Sequence, residues 1–370
     1  MNKKIAVLAG DGIGPEVSEQ AIKALDAIAD RFDHQFTYCH AAVGAIAIDR
    51  YGDPLPAHTL KTCLNSDAVL FGAIGDPKYD NDPNAKVRPE QGLLRLRKSL
   101  GLFCNVRPVT TYPKLLHLSP LREDKVRDVD FVIYRELTGG IYFGDRGRNE
   151  DRTEAFDKCE YSQAEIERIA HLAFQAAAKR RGQLMLVDKA NVLETSRLWR
   201  DTVGKMAPQY PDVQLEYMFV DNAAMQLIQY PKQFDVILTS NMFGDILSDE
   251  ASVLSGSMGL LPSASIGSDI ALFEPIHGSY PQAAGKDIAN PMAAILSAAM
   301  MLDHFGLLEE AKTVREAIYT CLQEDIGTAD LNTSLQYSCS MVGDLVSGFI
   351  LDGKKALNKD KLNEQTSTII

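Results

Sequence analysis

The segment SNMFGDILSDE, residues 240–250, sets two carboxylates, Asp245 and Asp249, four positions apart directly after the apolar run FDVILTS. On a helix these acids share one face, about one turn and ~6 Å apart along the axis. Like charges at that spacing repel. Two readings accept the cost. Acids near the start of a helix are favoured by its macrodipole, and acid pairs are common on wet faces. Alternatively, two carboxylates on one face form half of a site for a hard divalent cation.

The other candidate groups are arginines at strand ends. EQGLLRLRKSLGLFCNVRPV, residues 90–109, holds Arg95, Arg97 and Arg107 around an apolar helix and strand, with Arg107 inside a run that reads as buried. A buried guanidinium needs an acid partner, and a carboxylate ligand serves as well as a protein one. IYRELTGG repeats the pattern with Arg135, and Tyr142 follows it. Any one such arginine is more often a structural ion pair. Several beside Gly-rich loops suggest a di- or tricarboxylate site. Lys189, just past QLMLVDK and next to Asn191, is a candidate for proton transfer. Asp221 opens DNAAMQL and reads equally as a helix cap or a metal ligand. The stretch LFEPIHGSYPQAAGKDIANP, with Glu274, His277 and Asn290, reads as a long ordered loop of the kind that binds ligands.

These groups need elements to hold them. KIAVLAG (4–10), DAVLFGAIG (67–75), DFVIYRE (130–136), QLMLVDK (183–189), QLEYMFV (214–220) and FDVILTS (234–240) read as buried strands. Helices are expected over 15–32, 90–100, 162–180, 193–206 and 221–230, and PMAAILSAAMML (291–302) as a buried helix. Strands alternating with helices argue for an α/β protein with a largely parallel sheet. Residues 137–160 look like a hairpin or arm. SGSMGLLPSASIGSD (255–269) looks like a linker or a loop approaching a ligand, and the closing DKLNEQTSTII like a poorly ordered tail. GDGIGPE (10–16) reads G-x-G-x-G rather than G-x-G-x-x-G, and no acid is suitably placed about 20 residues on. A tight glycine turn explains it, and a Rossmann fingerprint is rejected.

Composition excludes several classes. The chain of 370 residues is 45% apolar and 24% charged, and its net charge of −12 argues against a nucleic-acid footprint. Its six cysteines, with no CxxC, read as reduced thiols of a cytoplasmic protein. The apolar stretch of MNKKIAVLAGDG is too short for a signal peptide, and no run reaches membrane-spanning length.

In series, GDGIGPE, the arginine stretch, YRELTGGIYFG, DKANVL, the helix at Asp221, NMFGDILSDE and EPIHGS…GK…IANP resemble one family over nearly the whole chain. It is the metal-dependent β-decarboxylating dehydrogenases, which act on isocitrate, isopropylmalate, homoisocitrate or tartrate. The resemblance implies a two-domain α/β fold with a mixed central sheet, not a Rossmann fold. One domain would combine 1–102 with 256–370. The other, 103–255, would carry the dimer contacts, the arm, and the metal and catalytic residues, with the active site in the cleft between them. By position, Arg97, Arg107 and Arg135 would clamp the substrate carboxylates. Asp245 and Asp249, with Asp221 of a neighbouring copy, would hold Mg²⁺ or Mn²⁺ against the substrate. Lys189, also from the neighbour, would accept the hydroxyl proton, and Tyr142 would protonate C3. Ile13, Pro77, Glu90, Glu274, His277, Gly278, Ser279, Gln282, Ala289 and Asn290 would surround NAD. A homodimer with shared active sites follows.

The residue types suit that chemistry. Hydride leaves C2 for NAD⁺, and loss of the C3 carboxylate as CO₂ pushes electrons toward the C2 oxygen, where a Lewis acid helps. A general acid must then reach C3. Within the family, Glu90, Leu93 and Leu94 suit an isopropyl group better than a third carboxylate, so 3-isopropylmalate is the expected substrate. Homoisocitrate and tartrate types stand behind it. Where relatives commonly carry HGSAPDIAGK, this chain has HGSYPQAAGK, so Gln282 replaces an acid that repels a 2′-phosphate. NAD remains the expected cofactor, with weaker discrimination against NADP. The competing class is a non-enzymatic dicarboxylate-binding protein, in which Lys189, Tyr142 and three carboxylates would be surplus.

Overall fold

The computed structural model describes residues 1–81, 87–332 and 335–352, so the closing DKLNEQTSTII lies outside the described residues. A ten-stranded sheet forms its centre. In spatial order the strands are Gln35–His40, Asn2–Gly10, Ala68–Ala73, Ala271–Pro275, Pro262–Ile266, Cys104–Thr110, Asp130–Glu136, Val236–Thr239, Gln183–Asp188 and Gln214–Phe219. All six strands expected from apolar runs are present, but Gln214–Phe219 is not buried as expected: it is the edge strand of the sheet, paired on one side only, and most of its side chains are exposed. Both flanks are parallel, as the alternation with helices predicts.

The centre differs. Ala271–Pro275, Pro262–Ile266, Cys104–Thr110 and Asp130–Glu136 pair antiparallel in succession, so the sheet is mixed. Only four residues separate Pro262–Ile266 from Ala271–Pro275, and so short a link joins antiparallel neighbours, not parallel ones. The expectation of a linker or loop over 255–269 is therefore corrected in its second half. Its small residues PSASI form a fully buried central strand. Serine and alanine fit there because Asn105 of the adjacent strand donates to Ser263 Oγ and Ser265 Oγ.

Helices cover the sheet where the apolar stripes require them. Gly14–Phe32 begins with Pro15 in its first turn and buries Val17, Ala21, Ala24, Leu25 and Ile28. It packs on Met292–His304, which is buried around nearly its whole circumference, and on Cys339–Asp352. The helices Pro89–Ser99, Gln163–Lys179, Glu194–Met206 and Val220–Gln229 fall within two residues of their expected bounds. Residues 137–160 contain the short turn Gly140–Tyr142 and an antiparallel ladder of Arg146–Arg148 with Ala155–Asp157, the expected hairpin.

Candidate active site

The functional groups meet where the helix Asn241–Ser252 crosses the strands Cys104–Thr110 and Asp130–Glu136. Antiparallel register sets Asn105 opposite Arg135 and Arg107 opposite Ile133, so both arginines rise from the same sheet face. Arg107 Nη1 donates to Ser248 Oγ at 2.6 Å and to Asp249 Oδ1 at 2.9 Å, while its Nε donates to Asn105 Oδ1. Arg135, 5% exposed, donates from Nη1 to Asp245 and from Nε and Nη2 to Asn241 Oδ1, at 3.2 and 2.9 Å. Asp245 and Asp249 thus each have their own guanidinium, which the sequence alone did not reveal. The pairing relieves the repulsion that their spacing creates.

Tyr142 reaches one of these acids. Its Oη donates to Asp245 Oδ2 at 2.8 Å, and the Arg135 guanidinium lies 5.9 Å from its ring centroid. Burial and the Asp245 carboxylate push the phenol above its usual 10, so it carries its proton at neutral pH. Burial pulls Arg135 down to about 10 against the opposing pull of Asp245, which leaves it a cation.

Arg97 lies on Pro89–Ser99 and donates from Nη2 to Glu274 Oε1 at 2.7 Å, while its buried Nε has no protein partner. On the same helix Leu93 is half-buried and Leu94 is 48% exposed. Glu90 is exposed and meets Gly75, where a Cβ would lie 2.9 Å from Glu90 Oε1 and 3.5 Å from Ser279 Oγ.

Lys189 and Asp221 form a separate pair at 2.8 Å, with Asp221 largely exposed. Among the described residues, neither bonds to Asp245, Asp249, Arg107, Arg135 or Tyr142, and no group of three His, Cys, Asp or Glu could hold a metal ion. Asp245 and Asp249 nonetheless offer two hard oxygen donors on one helix face, half of a set for Mg²⁺ or Mn²⁺. A third donor has to come from outside this group.

A second concavity of about 700 Å³ lies between the turns after 255 and the HGS loop. Of the residues that the resemblance sets around NAD, Ile13, His277, Gly278, Ala289 and Asn290 line this concavity; Pro77, Glu90, Glu274, Ser279 and Gln282 do not. Pro77 and Gln282 are exposed, Glu274 is committed to Arg97, and the Ser279 carbonyl accepts from Ile13 N. The residues missed are Gly256–Gly259, Tyr280, Ile288, Ala329 and Asp330. The Gly/Ser-rich composition of 255–259 was the one available signal. Asp330 had none: it is fixed by Ser257 Oγ at 2.6 Å and Asn290 Nδ2 at 3.1 Å, across large sequence separations. His277 donates from Nδ1 to Gly278 O at 2.9 Å, and its buried Nε2 lacks a protein partner. Burial holds its imidazole below the usual 6.5. An unsatisfied nitrogen beside open Gly278 backbone fits a polar cofactor group.

GDGIGPE proves to be the weld that holds this loop. Ile13 N donates to Ser279 O at 2.8 Å, and Gly12 (φ +58°) passes so close that a Cβ would sit 2.0 Å from that carbonyl oxygen. The Asp11 carboxylate accepts from the N–H groups of Ala45, Ile46 and Gly75, and Glu16 accepts from those of Gly285 and Asp287. The tight-turn reading holds, with tertiary anchoring added.

Comparison with known proteins agrees with this geometry. The family model described as isocitrate/isopropylmalate dehydrogenase matches residues 4–346. A 3-isopropylmalate dehydrogenase of Bacteroides fragilis (strain YCH46) is 56% identical over 331 residues, covering 90% of this chain and 93% of that protein. One of Bacillus subtilis (strain 168) is 53% identical, covering 91% and 94%. Among solved structures, isocitrate dehydrogenase from Methylococcus capsulatus superposes with a TM-score of 0.84 at 32% identity, covering 94% of this chain and 99% of that one. The β-decarboxylating dehydrogenase of Thermococcus kodakarensis gives 0.79 at 35% identity, covering 95% and 96%. A family match over residues 4–346, relatives more than half identical over nine-tenths of the chain and a shared fold agree, and the chain belongs to the isocitrate/isopropylmalate dehydrogenase family.

Proposed function

We propose that the protein oxidises and decarboxylates (2R,3S)-3-isopropylmalate to 4-methyl-2-oxopentanoate and CO₂ with NAD⁺, a step of leucine biosynthesis. The observation that carries this is the convergence of Arg107, Arg135, Tyr142, Asp245 and Asp249 over one strand pair. Substrate carboxylates would take over the guanidiniums that Asp245 and Asp249 now occupy. That exchange frees the acids for the cation, so substrate and metal favour each other's binding. The leucines of Pro89–Ser99 face the alkyl group, with Arg97 on the same helix to hold a carboxylate.

When bound, Mg²⁺ or Mn²⁺ supplies Lewis-acid polarisation of the C2 oxygen, and NAD⁺ accepts the hydride. The protein's own residues do the rest. Lys189 takes the C2 hydroxyl proton, directly or through water, and Tyr142, protonated at neutral pH, delivers one to C3. The cavity at Ile13, His277 and Asn290 receives the cofactor, and the orphaned His277 Nε2 gains a partner there.

Lys189 and Asp221 complete the site of a second copy in a homodimer. Met225, Ile228, Ile246 and Val253 are roughly half-exposed on and just after the helices Val220–Gln229 and Asn241–Ser252, beside the edge strand Gln214–Phe219, which supports such an interface. The proposed domains, 1–102 with 256–370 and 103–255, divide the sheet into two contiguous sets of five strands, and closure of the cleft between them is expected on substrate binding. No helix of the described residues is long and apolar enough to cross a membrane.

Initial rates of NADH formation test the reading, with 3-isopropylmalate, isocitrate, homoisocitrate and tartrate in parallel, with Mn²⁺ and with EDTA. Metal-dependent preference for 3-isopropylmalate is expected. Preference for another acid overturns the role given to Leu93 and Leu94, and binding without turnover makes the protein a dicarboxylate binder.

A further inference from the structure

Beneath the arginine–carboxylate cluster lies a buried polar group that does not line the cofactor cavity. Its centre is Asn241, 1% exposed, at the start of the helix that carries Asp245 and Asp249. Its side-chain oxygen, side-chain nitrogen and backbone N–H each have a partner. Oδ1 accepts from both Nε and Nη2 of Arg135, and Nδ2 donates to Gly139 O at 3.2 Å. The backbone N–H donates to Tyr161 Oη at 2.9 Å. Tyr161 is itself buried, stands edge-on to Trp199 at 5.4 Å, and leaves no room for a side chain at Gly139 or Gly140. From the other side, the buried Glu136 carboxylate accepts from the N–H groups of Thr138 and Gly139 at 2.8 and 2.7 Å.

Three reacting elements therefore meet at one amide: the Arg135 side chain, the turn Gly140–Tyr142, and the helix of the two acids. We propose that Asn241 is a positioning residue, which fixes Arg135 in its carboxylate-binding rotamer through Oδ1 and fixes the Tyr142 turn through its Nδ2 bond to Gly139. The division of labour follows from the atoms. An oxygen that receives two donors from Arg135 locks the guanidinium plane, which bidentate recognition requires. An N–H that reaches Gly139 O holds the strand-to-turn corner three residues before Tyr142, and small misplacements of a catalytic group cost large factors in rate. Tyr161 acts one step further out, as the acceptor that seats Asn241.

This inference rests on the proposed decarboxylating activity, and variants at two positions separate its parts. Asn241→Ala removes both functions and is expected to raise KM for 3-isopropylmalate and lower kcat, each about 10-fold or more, from the loss of hydrogen bonds to a charged group. KM for NAD⁺ should stay within about twofold, since neither Asn241 nor its partners Arg135, Gly139 and Tyr161 line the cofactor cavity. Asn241→Asp keeps an oxygen facing Arg135 but loses the donor to Gly139, so its loss should fall more on kcat than that of Asn241→Ala. Tyr161→Phe removes only the acceptor of the Asn241 backbone N–H and should lose about 3- to 10-fold in kcat. Thermal midpoints and the emission of the single tryptophan, Trp199, monitor the fold of each variant. Calorimetric titration of 3-isopropylmalate with Mn²⁺ but without NAD⁺ reads the Arg135 function without turnover, and weaker binding by Asn241→Ala is the supporting result. Folded Asn241→Ala with wild-type KM, kcat and binding overturns the positioning role while leaving the activity intact. Equal losses toward 3-isopropylmalate and NAD⁺ in all three variants also overturn it, because that is what a general loosening produces. A wild-type protein that neither binds nor converts any of the four acids overturns the activity, and the role of Asn241 with it.

Discussion

Gly12 and Gly52 offer a controlled comparison at two backbone positions of the same type. Both have positive φ, +58° and +72°. Alanine at either pays the left-handed cost of about 1–2 kcal/mol. The surroundings differ completely: nothing lies within 4 Å of a Cβ on Gly52, whereas one on Gly12 would lie 2.0 Å from the Ser279 carbonyl oxygen and 2.7 Å from its carbon. The obstacle is backbone, so the HGS loop must shift and the Ile13 N–H to Ser279 O bond is lost. Both residues are buried there, and an orphaned donor adds about 1–3 kcal/mol. Gly52→Ala should thus lose about 1–2 kcal/mol in urea unfolding and Gly12→Ala about 2–5 kcal/mol. Because Ser279 adjoins Gly278 and His277 in the cavity wall, Gly12→Ala should also raise KM for NAD⁺ about 10-fold or more, while Gly52→Ala leaves it unchanged. Equal stability losses, with an unchanged KM for NAD⁺ in Gly12→Ala, would refute the assignment of GDGIGPE as the anchor of the loop.

Tyr142→Phe removes the proposed acid but keeps the ring, so kcat should fall by about 10²- to 10⁴-fold with KM for 3-isopropylmalate nearly unchanged in steady-state assays. Gln282→Asp restores a carboxylate and should raise the NAD⁺/NADP⁺ ratio of kcat/KM, and an unchanged ratio would remove Gln282 from cofactor selection. Lys189→Ala and Asp249→Ala should each be nearly inactive alone. Unfolded together and refolded as a 1:1 mixture, they should regain about a quarter of wild-type activity, because half the dimers then contain one intact shared site. No recovery would place Lys189 and Asp249 in the same chain's site. Burial holds His304 below its usual 6.5, with Lys3 adding repulsion, and burial does the same at His277. The unfolded chain therefore takes up these protons first. Their stabilising contribution is complete above pH 6.5 and is lost as pH falls below it, toward the lower folded-state values. Urea midpoints between pH 8 and 5 should show this fall, with a shallower slope in His304→Gln.

Much of the fold was readable locally. Runs such as DFVIYRE and FDVILTS are buried strands wherever they sit, because only a sheet interior accepts them, and the 3.6-residue apolar stripe of Gly14–Phe32 permits one packing face. The identities of Arg107, Arg135, Tyr142, Asp245 and Asp249 were also in the sequence, since charged groups at the ends of buried runs must be answered by something. The tertiary structure alone decided what answers them. Arg107 meets Asp249 across 142 positions and Arg135 meets Asp245 across 110, and no local spacing encodes such pairs. The same limit hid Asp330 in the cavity wall, Asn241 beneath the arginine, and the strand PSASI, whose small residues look like a loop until their neighbours are known. Sequence fixes elements through local burial and periodicity; the partners of polar groups are set by register and packing, which exist only once distant segments have met.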